Sequence, residues 1–218
     1  MARLAKLETV LFDLDGTLTD PGEGIIRSIR AAFEFVGREP PPVASLRRCI
    51  GPPLQDSFRE LGVQPAEVDS LIRAYRRRYR EMGMFENRVY PGVSELLSRL
   101  GAADFQLYVA TSKPQEFADA ILRHFDLLEF FNGVFGSKLD GSLADKRDLL
   151  AHARRIAGFS VSSSALVGDR GLDISAARSH GILAIGALWG YGTISELEAA
   201  GAQALVSSPS ELLETLAA

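Results

Sequence analysis

The chain has 218 residues, a formal net charge of −4, 46% hydrophobic and 24% charged residues, which is an ordinary globular balance. That length suffices for one sizeable core, or a core with a small accessory domain. No apolar run is long enough to cross a bilayer and no signal-peptide core precedes the first apolar segment, so a cytoplasmic protein without a membrane partner is expected; the mild negative charge argues against nucleic acid. Cys49 is the single cysteine, which rules out an intramolecular disulfide.

Residues 8–12 form an apolar, β-branched run without helical spacing, which predicts a short buried strand. It runs into Asp13-Leu14-Asp15-Gly16-Thr17-Leu18. A turn opened by Gly16 brings two carboxylates to the strand's carboxyl end, where they persist if a cation neutralises them or one keeps a proton. Such a pair suits phosphoryl transfer: one Asp attacks phosphorus, and the other protonates the leaving oxygen and then activates water. An ordinary strand-to-turn exit uses the same residue types.

From 21 to about 86 the pattern is helical. Ile25, Ile26, Ile29, Ala32, Phe33 and Val36 make one apolar stripe that stops at Gly37; proline-rich breaks follow at 40–42 and 51–53. Further helices carry Phe58 and Leu61, then Leu71, Ile72, Tyr75 and Tyr79. This predicts a small helical domain over 20–87, inserted between segments 1–19 and 88–218 of one core, with hinges near 19–22 and 86–92. Arg76, Arg77, Arg78 and Arg80 are expected on a solvated helix face, and Cys49 as a small core residue.

After residue 92 helices and strands alternate: strands at 106–110, 133–136, 165–167, 182–185 and 204–206 are separated by helices. Such alternation predicts an α/β fold, a parallel sheet covered by helices on both faces, with ligands at the strands' carboxyl ends. Polar clusters fall at those ends. Thr111-Ser112-Lys113-Pro114 opens a helix whose free N–H groups and hydroxyls could hold a phosphate oxygen, or simply cap the helix. Lys146 starts another helix and could offset phosphate charge, with Lys138 and Arg147 close enough to compete for that role. Gly168-Asp169-Arg170-Gly171-Leu172-Asp173 supplies two carboxylates that can converge on a hard cation, although Asp173 could equally cap the next helix. His124, His152 and His180 cluster with none of these.

The four motifs, in this order and each at a strand end, resemble those of the haloacid dehalogenase-like superfamily, and the resemblance covers nearly the whole chain. It implies a Rossmann-like three-layer core with a helical cap after the first motif, as in the phosphoglycolate phosphatase-like and β-phosphoglucomutase-like branch. It also implies Asp13 as nucleophile and metal ligand, and Asp15 as general acid/base lending its backbone carbonyl to Mg2+. Thr111 and Lys146, with Ser112 beside them, hold phosphate by the same likeness. Asp169 completes the magnesium site, with Asp173 behind it. An Asp at position 15 favours a phosphatase or phosphomutase over a dehalogenase. The cap loop Arg47-Arg48-Cys49-Ile50-Gly51-Pro52-Pro53 could clamp a substrate carboxylate through Arg47.

The expected activity is Mg2+-dependent hydrolysis of a small phosphorylated metabolite, phosphoglycolate-like or a nucleoside monophosphate, by a monomer or homodimer; a sugar phosphomutase is the alternative. Gly190-Tyr191-Gly192 suggests a dinucleotide fingerprint, but Ser195 stands where its third glycine belongs. A non-catalytic binding protein would have no need of Asp13 and Asp15 together.

Overall fold

The computed structural model describes residues 7–217. Its main sheet has six parallel strands in the order β5-β4-β1-β6-β7-β8, formed by β1 (Thr9–Phe12), β4 (Gln106–Pro114), β5 (Gly133–Ser137), β6 (Ser164–Gly168), β7 (Leu183–Ala187) and β8 (Ala204–Val206). The chain thus has an α/β, Rossmann-like fold with an inserted helical cap. Strand β1 lies at the centre and is buried throughout, as its unbroken apolar run requires. Val10 and Phe12 join the core on one face of the sheet, and Leu11 joins the core on the other, with Leu149, Leu166 and Ile174.

The first of these cores runs without interruption into the cap, whose own centre is Ile29, Phe33, Leu46, Phe58 and Leu71. The cap consists chiefly of helices Gly22–Phe35, Leu54–Glu60 and Pro65–Arg78, the last continued by a π-helical turn, Tyr79–Gly83. The first helix crosses this turn at Gly24 and Gly83: a Cβ on Gly24 would lie 1.9 Å from the Gly83 carbonyl oxygen, so the crossing admits no side chain. Cap and core are joined by a two-stranded antiparallel ribbon of β2 (Thr19–Asp20) and β3 (Arg88–Val89). Strands of two residues leave no periodicity to read, and none was expected there.

The arginine run of the cap departs from the expected solvated face. Arg78 is half-buried and grips Glu86 through two hydrogen bonds, of 2.8 and 3.0 Å, while also donating to the Ser28 hydroxyl at 3.0 Å. Its fork ties the end of the cap to its first helix. Arg76 is half-buried as well. Consecutive positions do fan around a helix, but this helix is sandwiched, so two of its arginines face protein.

Candidate active site

The end of β1 delivers Asp13 and Asp15 into a tight turn. Three successive amides, of Thr17, Leu18 and Thr19, converge on the Leu14 carbonyl at 3.3, 2.9 and 3.0 Å, and Gly16 adopts φ +87°. That φ favours glycine, and here a Cβ would also lie 2.2 Å from the Asp169 carboxylate. The turn therefore closes directly over the end of β6, and Asp13 and Asp15 are both buried.

Three carboxylates meet there. Ligand oxygens of Asp13, Asp169 and Asp173 lie within 4.8 Å of one another. Lys146 reaches into the group, with Nζ 2.9 Å from Asp13 Oδ1 and 2.6 Å from Asp173 Oδ1, and it donates to the Ala110 carbonyl at 2.8 Å. The ammonium thus faces two carboxylates and is hydrogen-bonded to one carbonyl. Lys138 and Arg147 are exposed, and Arg147 pairs with Asp145 at 2.7 Å. Burial alone would lower the Lys146 pKa, but Asp13 and Asp173 more than reverse this and hold it charged.

Even so, the negative charge is not balanced. Burial drives Asp169 well above the ordinary carboxylate range, reinforced by Asp173 and Asp13. Asp173 is pushed up to about 6, first by burial and then by Asp13, with Lys146 opposing. Asp15 Oδ1 is buried without a hydrogen bond, and Asp13 Oδ1 has the ion-pair contact with Lys146 but no hydrogen bond. Crowded, under-satisfied oxygen donors of this kind fit a hard divalent cation.

The loop after β7 buttresses the group. Tyr191 donates its backbone N–H to Asp169 Oδ2 at 2.8 Å, and Trp189 Nε1 donates to the Thr17 carbonyl at 3.0 Å. A Cβ on Gly190 would stand 2.3 Å from the Asp169 Cβ, so these glycines serve close packing on Asp169 rather than a dinucleotide. Thr17 also donates to Asp169, at 3.3 Å. Asp173 accepts the Arg170 amide at 3.1 Å while facing Lys146, so it caps its helix and belongs to the cluster at once.

Asp15 faces a different set. Its Oδ2 lies 2.6 Å from Lys113 Nζ, and that ammonium also donates to the Tyr79 hydroxyl at 2.8 Å. Burial raises the Asp15 pKa, and Lys113 offsets only part of the rise. Neither Lys113 nor Tyr79 stood among the expected site residues. Lys113 adjoins Ser112 in a motif already singled out, whereas Tyr79 reads only as a core position. A cavity opens beside Asp15, lined among others by Cys49, Tyr75, Arg76, Ser112 and Phe117. Ser112 gives its hydroxyl proton to the Ala144 carbonyl at 3.2 Å, and Thr111 is buried at the end of β4. Arg47 is the one expected residue outside this assembly: it is exposed and lines an outer groove with Asp20, Arg88 and Tyr191. Cys49 is buried as expected, and its thiol is pushed up to about 11 by burial.

The family profile of haloacid dehalogenase-like hydrolases matches residues 10–187. The chain belongs to that family. Among its relatives this haloacid dehalogenase-like hydrolase is 42% identical over 195 residues to a 5'-nucleotidase of Pseudomonas aeruginosa, covering 89% of this chain and 88% of that protein. It is also 37% identical to the tyrosine-protein kinase PtkA of Mycobacterium tuberculosis, over 85% of this chain but 63% of the kinase. The crystal structure of a predicted phosphatase from Clostridium acetobutylicum superposes with a TM-score of 0.94 at 38% identity, covering 98% of this chain and 99% of that one. With these relatives and this family, the protein is a phosphoric monoester hydrolase. Among the described residues, no helix is long and apolar enough to cross a membrane.

Proposed function

We propose that this hydrolase is a magnesium-dependent phosphatase that cleaves small phosphomonoesters through an aspartyl phosphate on Asp13. The observation that carries the reading is the convergence of Asp13, Lys146, Asp169 and Asp173 at one buried point, with Asp15 on the same turn. Asp13 attacks phosphorus, and the bond to the leaving oxygen breaks as Asp15 delivers a proton to that oxygen. Lys146 and the Thr111 hydroxyl hold the phosphoryl oxygens while negative charge accumulates on them. Asp15, now ionised, takes a proton from water; the water attacks the acyl phosphate, releasing phosphate and restoring the Asp13 carboxylate. The burial that raises the Asp15 pKa suits a group that must carry a proton in the first half of the cycle. Magnesium, held by Asp13, Asp169 and the Asp15 backbone carbonyl with Asp173 behind, would neutralise the carboxylates and the substrate phosphate.

The cavity beside Asp15 receives the leaving group. Arg76 offers a carboxylate such as that of phosphoglycolate a partner, and Tyr75 and Phe117 offer a nucleobase apolar ring surface. Phosphate release from a panel of phosphoglycolate, nucleoside monophosphates and sugar phosphates, with magnesium present, tests the proposal. One class turned over about tenfold faster than the rest would name the substrate. Failure to release phosphate from every ester would reject a phosphatase, and transfer to a second sugar hydroxyl without release would replace it by a phosphomutase.

A pH dependence follows from the buried carboxylates. The folded, metal-free chain keeps protons on Asp173 up to about pH 6, whereas the unfolded chain releases them near the ordinary value of about 4. Stability from this group is therefore complete below that lower value and is lost as pH rises through about 6. Magnesium binds the ionised form, so its stabilising increment grows across the same window. Melting curves at pH 5 and pH 7.5, with and without magnesium, should show the larger metal-induced rise in Tm at pH 7.5; an equal or larger rise at pH 5 would contradict this assignment.

A further inference from the structure

The aspartyl-phosphate chemistry leaves Lys113 and Tyr79 without a task, yet both touch the group that moves its protons. Lys113 is at the end of β4 in the core, its side chain 5% exposed. Tyr79 belongs to the cap and is 1% exposed. The lysine ammonium lies 2.6 Å from Asp15 Oδ2 and 2.8 Å from the Tyr79 hydroxyl, and 4.7 Å from the centre of the Tyr79 ring. The ring itself is clamped, stacked on Tyr75 of the cap at 5.3 Å and edge-on to Phe117 of the core at 5.4 Å. Tyr79 thus sits in the seam between cap and core with its hydroxyl on a core lysine.

We infer that Tyr79 is a positioning residue: from the cap, its hydroxyl fixes the Lys113 ammonium against Asp15 Oδ2, so that Asp15 is held for proton transfer only while the cap is seated on the core. A lysine side chain has four rotatable bonds and a strong pull toward water. One carboxylate contact leaves it free to pivot; a second, from a clamped ring, removes that freedom. Held by Oδ2, Asp15 keeps Oδ1 clear of every protein donor. If the cap lifts, Tyr79 leaves with it, Lys113 is released into water, and Asp15 loses its orientation before solvent reaches an acyl phosphate. Other contacts across the seam do not involve this hydroxyl: Arg80 pairs with Glu116, and Arg170 donates to the Ile50 carbonyl. They keep the cap seated when the hydroxyl alone is removed.

The inference rests on the acid/base role proposed for Asp15, and the experiment separates the two. Tyr79→Phe keeps the ring and deletes the hydroxyl. On the best alkyl ester of the panel, whose alkoxide must be protonated as it leaves, kcat should fall about tenfold with KM changed less than about twofold, since a hydrogen bond to a charged group is lost. On p-nitrophenyl phosphate, whose leaving group needs no proton, phosphorylation of Asp13 should stay fast while water activation slows. A rapid burst of p-nitrophenolate, matching the enzyme concentration, should therefore precede slow steady-state release. Lys113→Gln should give the same burst with a larger fall in kcat, and serves if Tyr79→Phe melts early. An unchanged kcat, or equal losses on both esters with no burst, overturns the positioning role while leaving the phosphatase intact. Turnover that survives Asp13→Asn overturns both.

Discussion

Asp13→Asn is expected to end catalysis, lowering kcat for phosphate release by about 10⁴-fold or more while the chain still folds. An amide of the same shape has no lone pair fit to attack phosphorus, so the covalent path is closed. Folding should survive because the ammonium of Lys146 keeps Asp173 at 2.6 Å and the Ala110 carbonyl at 2.8 Å. The substitution also removes a negative charge that raises the pKa values of Asp169 and Asp173, so the metal-free variant should melt no lower than the parent at neutral pH. Phosphate release and melting temperature decide the matter, measured on variant protein whose mass shows that the introduced amide has not hydrolysed back to a carboxylate. Turnover within about tenfold of the parent would remove Asp13 from the nucleophile's role.

Lys146→Met should be the most destabilising single change at the site. The ammonium lies between two buried carboxylates, and removing one partner of a buried charge pair costs about 3–5 kcal/mol because the other charge is left stranded. For a chain of this size that is a fall in Tm of about 10 °C. Methionine fills the space, so the loss is electrostatic rather than a cavity. Magnesium should recover part of it by supplying positive charge to the same oxygens. Arg147→Met, one residue on, breaks only the exposed pair with Asp145 and should move Tm by no more than about 2 °C. Calorimetry of the two variants side by side gives the comparison; similar small shifts would mean that the ammonium does not hold this cluster.

Much of this site is legible in the linear chain because a parallel sheet gathers its loops at one edge. Asp13 and Asp15 follow β1, Thr111 falls within the end of β4, and Asp169 follows β6, so reading the strands correctly already brings their ends together. The unbroken apolar run of β1 places it at the centre of the sheet, and Gly16 marks the turn that closes over Asp169. None of this needs a long-range contact to be known.

What the linear order left open is where the partners are far apart in the chain and the local pattern suits several outcomes. Lys138, Lys146 and Arg147 look alike in sequence; burial beside Asp13 separates Lys146 from the other two. Arg47 lies on the expected cap loop, yet the packing of that loop turns it to an outer groove and brings Cys49, from the same short turn, to the cavity beside Asp15. Arg78 finds Glu86 and Ser28 because its helix is covered on both sides. Tyr79 reaches Lys113 across 34 positions because the cap settles on the core. The sequence by itself determined the family, the α/β core with its inserted helices, and the acidic residues at the strand ends, since these follow from periodicity and from motifs a few residues long. Only the tertiary structure decided which cations are buried with those carboxylates and which cap side chain stands over them, since each is set by desolvation and packing between segments that the chain keeps apart.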